Sequence, residues 1–137
     1  MGAPAWSPDG RTIALWFSSD YDSVVLLVDA TDGAQRRLES GGGAPEWSPD
    51  GTRILAWYFD TISTIDAVTG VTTKILELTD GYVESATWSP DGETIGFIRC
   101  NSDYDVCDVY SVAAQVGAKA RRLTRTPGVE FSLDWGP

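Results

Sequence analysis

The chain has 137 residues, 42% hydrophobic and 11% aromatic, which is enough for one domain with its own core and too apolar for a disordered tail. Its 20 acidic residues against 10 basic ones leave a net charge of −10, which repels phosphate backbones and argues against nucleic acid as a partner. It contains no His, so the commonest general base and the commonest catalytic zinc ligand are both missing.

In chain order, the first predicted strand is residues 3–6, and it runs into Trp6-Ser7-Pro8-Asp9-Gly10. Pro pre-sets φ for the second position of a tight turn, Asp suits the third, and Gly takes the positive-φ position that follows. Strands over 12–17, 24–29 and 35–39 come next, with a turn at 30–33. The phrase returns as Trp47-Ser48-Pro49-Asp50-Gly51, followed by strands at 53–58, 62–66 and 73–78. It returns again as Trp88-Ser89-Pro90-Asp91-Gly92, followed by 94–99, 108–112 and 121–124. The interval is 41 residues twice (47 − 6 and 88 − 47), then 47 (135 − 88) to Trp135, where a closing strand over 129–135 is expected. A fixed period of about forty residues, each unit holding four short antiparallel strands, is the pattern of β-propeller blades. The fold expected is therefore all-β: blades at 3–39, 44–79 and 85–124, plus one extra C-terminal strand.

Strand four of each unit carries Arg36 and Arg37, Lys74, or Arg121 and Arg122, the charge that protects an outermost strand from edge-to-edge pairing. No stretch shows a helical period, and no apolar run approaches the roughly 20 residues of a membrane span. The N-terminus lacks the basic-then-apolar form of a secretory leader. There is no nucleophile elbow, no Gly-rich phosphate loop and no Cys cluster for a metal, so no catalytic residue and no cofactor is nominated.

Cys100 and Cys107 flank a short polar loop, which suits a loop-closing disulfide and an oxidising compartment; two thiols in a reducing cytosol are the alternative. The loop between strands two and three reads Asp20-Tyr21-Asp22 in the first unit and Asp103-Tyr104-Asp105 in the third, and is shortened to Phe59-Asp60-Thr61 in the second. In a propeller it shares a face with the interblade loops, which adds Asp80, Glu84 and Glu130. Three readings compete: Asx-type turns with solvated tyrosines, a protein-recognition edge anchored by Tyr21 and Tyr104, and a Ca²⁺ site at Asp20, Asp22, Asp103 and Asp105.

The three Trp-Ser-Pro-Asp-Gly phrases are each followed by an apolar strand such as Ile13-Ala14-Leu15-Trp16-Phe17, then by strands ending at Asp29 or Asp66, then by Arg-Arg-Leu. Together they resemble the TolB-type β-propeller repeat over nearly the whole chain. The resemblance implies a six-bladed, periplasmic or extracellular propeller that acts as a binding platform. This chain carries three blades, half of such a ring. A non-enzymatic binding or scaffold module is expected, with a structural ring or filament subunit, or the accessory propeller of a larger hydrolase or peptidase, as alternatives. The terminal blade faces, expected to present Ile13, Leu15, Val25 and Leu27 or Ile95, Phe97, Val109 and Val112, would be covered by a second copy in a homodimer, by head-to-tail assembly, or by further blades of a longer gene.

Overall fold

The structure, a computed structural model, describes residues 3–19, 22–38, 42–125, 127–128 and 132–136, with Asp22 described in its backbone alone. The three Trp-Ser-Pro-Asp-Gly segments fold into one turn, repeated. Ser7 Oγ donates to Asp9 Oδ1 at 2.6 Å and accepts the amide of Thr12 at 2.9 Å, while Asp9 Oδ1 also accepts the amide of Arg11 at 3.1 Å. Ser48 with Asp50 and Ser89 with Asp91 repeat the hydroxyl–carboxylate bond at 2.6 and 2.5 Å, and their hydroxyls accept the amides of Arg53 and Thr94 at 2.9 Å. Gly10, Gly51 and Gly92 take φ of 70, 71 and 69°, a region that only glycine enters without a Cβ penalty.

Each turn joins strands one and two of a four-stranded antiparallel sheet. The first sheet is β1 (Ala5–Trp6), β2 (Thr12–Ser19), β3 (Asp22–Asp29) and β4 (Gln35–Leu38); the second is β5 (Glu46–Trp47), β6 (Arg53–Tyr58), β7 (Thr61–Asp66) and β8 (Thr72–Glu77). The third is β9 (Tyr82–Trp88), β10 (Thr94–Cys100), β11 (Cys107–Ala113) and β12 (Arg121–Arg122). Every sheet keeps its strands in chain order, with no helix among the described residues, so the fold is all-β with three antiparallel blades. β9 reaches back to Tyr82 because its ladder with β10 continues past a register shift to Arg99–Val83 and Cys100–Tyr82, and the amide of Val83 also donates to the carbonyl of Phe59 in the preceding blade at 2.6 Å.

The closing strand expected over 129–135 does not form in its described part: residues 132–136 pair with no strand, and 129–131 lie outside the described residues. A strand one is held by strand two of its own blade, and no such partner for a fourth blade is present among the described residues. Leu133 and Trp135 lie instead over Gly96 on the outer face of β10.

The core lies between blades. Ala14, Val25, Leu27 and Leu38 of the first pack on Ile54, Ala56 and Ile65 of the second. Leu55, Ile62 and Ile75 of the second pack on Val83, Ala86, Trp88, Ile95, Phe97 and Val112 of the third. This corrects the expected composition of the terminal faces. The register sets Ala14 opposite Leu27 and Trp16 opposite Val25, so Val25 and Leu27 point inward, while Leu26 and Val28 share the outer face with Leu15 and Ile13. In the third blade Ile95, Phe97 and Val112 point inward, and the outer face carries Ile98 and Val109.

Polar contacts lock the same junctions. Trp47 Nε1 donates to Ala5 O at 3.1 Å and Trp88 Nε1 to Glu46 O at 3.3 Å, one repeat apart. Arg53 lies 4.6 Å over the Trp88 ring and donates to Gly92 O at 3.0 Å and Ala114 O at 3.3 Å. Glu46 Oε1 accepts Thr87 Oγ1 at 2.9 Å and the Trp88 amide at 3.0 Å; burial nonetheless pushes its carboxyl above the ordinary value.

Candidate protein-binding face

In the second and third blades the loops between strands two and three share a face with the interblade loops. Asp60 O accepts the amide of Leu78 at 2.8 Å, Gly42 O that of Trp57 at 3.2 Å, and Gly128 O that of Cys107 at 3.1 Å. At the head of the third blade, Cys100 and Cys107 face each other across the register with Cα atoms 4.0 Å apart and form a disulfide. Both are buried with Ile98, and Tyr82, Val109 and Leu133 pack on them, so the loop between them stands on a rigid base.

That loop separates the residues of Asp103-Tyr104-Asp105. Asp105 Oδ1 accepts Asn101 Nδ2 at 2.6 Å, and the amides of Asp105 and Val106 donate to Asn101 Oδ1, each at 3.2 Å, so the Asp105 carboxylate is tied into an Asx-type turn. Asp103 is exposed. Tyr104 takes φ of 62°, which turns its ring back against Tyr82, with centroids 4.5 Å apart, and brings its hydroxyl to donate to Glu84 Oε2. The bond to Glu84, with burial behind it, pushes the Tyr104 phenol up to about 12. The Tyr82 hydroxyl is buried with no hydrogen-bond partner among the described residues. Asp20 and Tyr21 lie outside the described residues, and Asp22 opens β3 with its backbone opposite Ser19. Among the described residues no three acidic, His or Cys side chains converge as a cation site.

Sequence reading missed the blade-two loop as a site. Tyr58 and Phe59 are 55% and 66% exposed, stand edge to face with centroids 4.5 Å apart, and Phe59 holds φ of 49°. A bulky aromatic in the left-handed region is an outlier that marks a constrained position. With Ser23, Trp57, Asp60 and Thr61 they line a groove of about 720 Å³ between blades one and two. Two consecutive aromatics at a turn, where turn chemistry asks for none, were the available signal. The Phe59 carbonyl accepts the amide of Val83, between Tyr82 and Glu84 on β9, so the Tyr58–Phe59 and Tyr82–Tyr104 pairs stand at the heads of adjacent blades as an aromatic ledge. Asp60, Glu84, Asp103 and Asp105 supply acidic groups at the heads of the same two blades, and Asp80 there is paired with Arg99.

Three four-stranded antiparallel blades, repeated along the chain and packed face to face, define part of a β-propeller. No family profile and no curated protein matches the chain. Among solved structures it is similar to TolB from Acinetobacter baumannii (TM-score 0.73, 21% identity, covering 91% of this chain and 32% of that one). It is also similar to a putative TolB from Agrobacterium tumefaciens (TM-score 0.77, 21% identity, 93% and 50% covered). A structure reported for prolyl endopeptidases matches with TM-score 0.70 and 20% identity, over 93% of this chain and 22% of that one. The chain thus spans a third to a half of the two TolB structures.

Proposed function

We propose that the chain is a non-enzymatic binding and scaffold module of the TolB-like propeller type, which takes a basic protein segment on its loop face and associates with further copies of itself through its terminal blades. The observation that carries the binding half is the aromatic ledge: Tyr58, Phe59 and Tyr104 are exposed on a face stiffened by a disulfide and by two positive-φ residues. Rigid aromatic side chains with acidic neighbours suit an interface, because they bury large area at low entropy cost while the carboxylates select cationic partners. The disulfide fits an oxidising compartment, periplasmic or extracellular.

The test is selection of a random displayed peptide library on the pure chain. Selected peptides are expected to be enriched in Lys and Arg and to lose on the order of 2 kcal/mol, about 30-fold, against Tyr104→Ala or Phe59→Ala, with the melting temperature nearly unchanged. Peptides indifferent to both substitutions would refute the ledge as a binding site.

A second reading, the accessory propeller of a larger peptidase, is favoured by the likeness to the prolyl endopeptidases. These 137 residues hold no His, so a His-dependent catalytic group would have to come from residues outside them. The reading frame on either side of the chain decides between the two.

A further inference from the structure

The two internal junctions share a nested turn and a seated indole at the same repeat positions, the first adds an arginine clamp, and halves of these contacts recur at the two ends of the blade stack. Arg36 on β4 donates to Ala67 O and to Val68 O, the latter at 2.6 Å, clamping the β7–β8 turn of the following blade. By register, Arg36 opposite Leu27 corresponds to Thr73 opposite Thr64, which makes no clamp, and to Arg121 opposite Ser111, whose side chain is exposed with no hydrogen bond among the described residues. The matching acceptors on the first blade are the carbonyls of Ala30 and Thr31: Ala30 N donates to Arg11 O as Ala67 N donates to Thr52 O, both at 2.9 Å.

A second contact repeats likewise. The Pro8 and Pro49 rings lie 3.5 and 3.3 Å from where a Cβ on Gly51 and Gly92 would stand, so each turn nests on the next. Pro90 is exposed, and the same position on Gly10 meets nothing within 4 Å. The third is the indole seat. Trp47 packs on the cluster holding Ala14, and Trp88 shares a cluster with Leu55; these stand opposite Ala5 and Glu46 as Gly96 stands opposite Thr87. Over Gly96 the seat is already taken: Trp135 Nε1 and Leu133 Cδ2 lie 2.9 and 3.0 Å from the Cβ position. Residues 132–136 therefore occupy the place of strand one of a following blade while pairing with nothing.

At the other end, β1 is held by two register pairs and Trp6 is 57% exposed, against 4% for Trp88. The outer face of the first blade offers Ile13, Leu15, Leu26 and Val28, half-buried, and Phe17, exposed.

Resting on the self-association half of the reading above, we propose that the third blade of one chain docks on the first blade of a second copy, with residues 132–136 pairing along that copy's β2 in place of its Ala5–Trp6. The complementarity argues for a copy of this chain: the clamp donor, the nesting proline and the seated Trp lie at one end, and the matching carbonyls, the open glycine and a β2 paired on that side only at Ile13 and Ala14 at the other. Two copies about a twofold axis satisfy both junctions at once and give six blades, within the roughly four to eight of closed propellers, whereas three copies would give nine.

Light scattering of the pure 137-residue chain over a concentration series tests this. The expected mass is twice 14.8 kDa. Arg121→Glu and Leu15→Lys, on opposite sides of the junction, should each raise the dimer dissociation constant at least tenfold while far-UV circular dichroism stays that of the parent. Trp135→Ala should do the same, and Trp6→Ala should leave the dimer intact. A parent chain that stays monomeric, or forms open polymers, overturns the closed pair and with it the self-association reading. A dimer indifferent to Arg121→Glu and Leu15→Lys leaves self-association standing and overturns this junction. A dimer weakened by Trp6→Ala and not by Trp135→Ala overturns the strand exchange.

Discussion

Replacing Ser48 by Ala probes what the repeated turn contributes, because this serine is fully buried and its hydroxyl serves two partners. The change removes a hydrogen bond to the Asp50 carboxylate and leaves the Arg53 amide without its acceptor. A lost charge-assisted bond plus an unsatisfied, partly buried amide costs about 2–3 kcal/mol. With a urea slope of about 2 kcal/mol/M for a domain of this size, the unfolding midpoint should fall by about 1–1.5 M, measured by Trp fluorescence at one fixed protein concentration. A pH series adds a sign. The Asp50 carboxyl is lowered to about 2, first by the Ser48 hydroxyl and then by the Thr52 amide and hydroxyl. A depressed folded-state value stabilises the native state above the unfolded value of 3.8 and loses that contribution as pH falls toward 2. Ser48→Ala removes the largest cause, so the gap between parent and variant should narrow on acidification. The narrowing should be a small part of the total, because Asp50 is exposed to screening solvent. A midpoint shift below about 0.3 M, or a gap that widens toward low pH, would refute the assignment.

Titrating free thiols in denatured, non-reduced protein should find none, and the Cys100→Ser, Cys107→Ser double variant should be less stable by about 2.5 kcal/mol, the chain-entropy value for so short a loop; reactive thiols in the parent would end the assignment. Phenol absorbance should show Tyr104 ionising near the raised value of about 12, and Glu84→Gln should bring it back toward 10. Since the folded value lies above the unfolded one, this bond stabilises the native state below pH 10 and is lost as pH rises toward 12; an unchanged titration in the variant would refute the pairing.

What sequence alone determined here is what neighbouring residues decide among themselves. Trp-Ser-Pro-Asp-Gly sets its own turn, because Pro holds φ, Gly accepts the positive φ, and Ser and Asp bond amides within five positions along the chain. Three such turns at one period made the strand order and the blade fold legible, and Cys100 and Cys107 paired because one hairpin register sets them opposite. Which side of a strand faces which neighbour was not legible. Val24-Val25-Leu26-Leu27-Val28 is apolar on both sides, as a strand lying between blades must be, and the period of two then carries no face signal. Adjacency in sequence also grouped Tyr104 with Asp103 and Asp105, whereas its positive φ sends the ring to Tyr82 and Glu84, about twenty positions away on another strand. The seat of Trp135 over Gly96 was likewise a tertiary decision: a strand one needs its own blade's strand two to pair, but its indole needs only the blade before it.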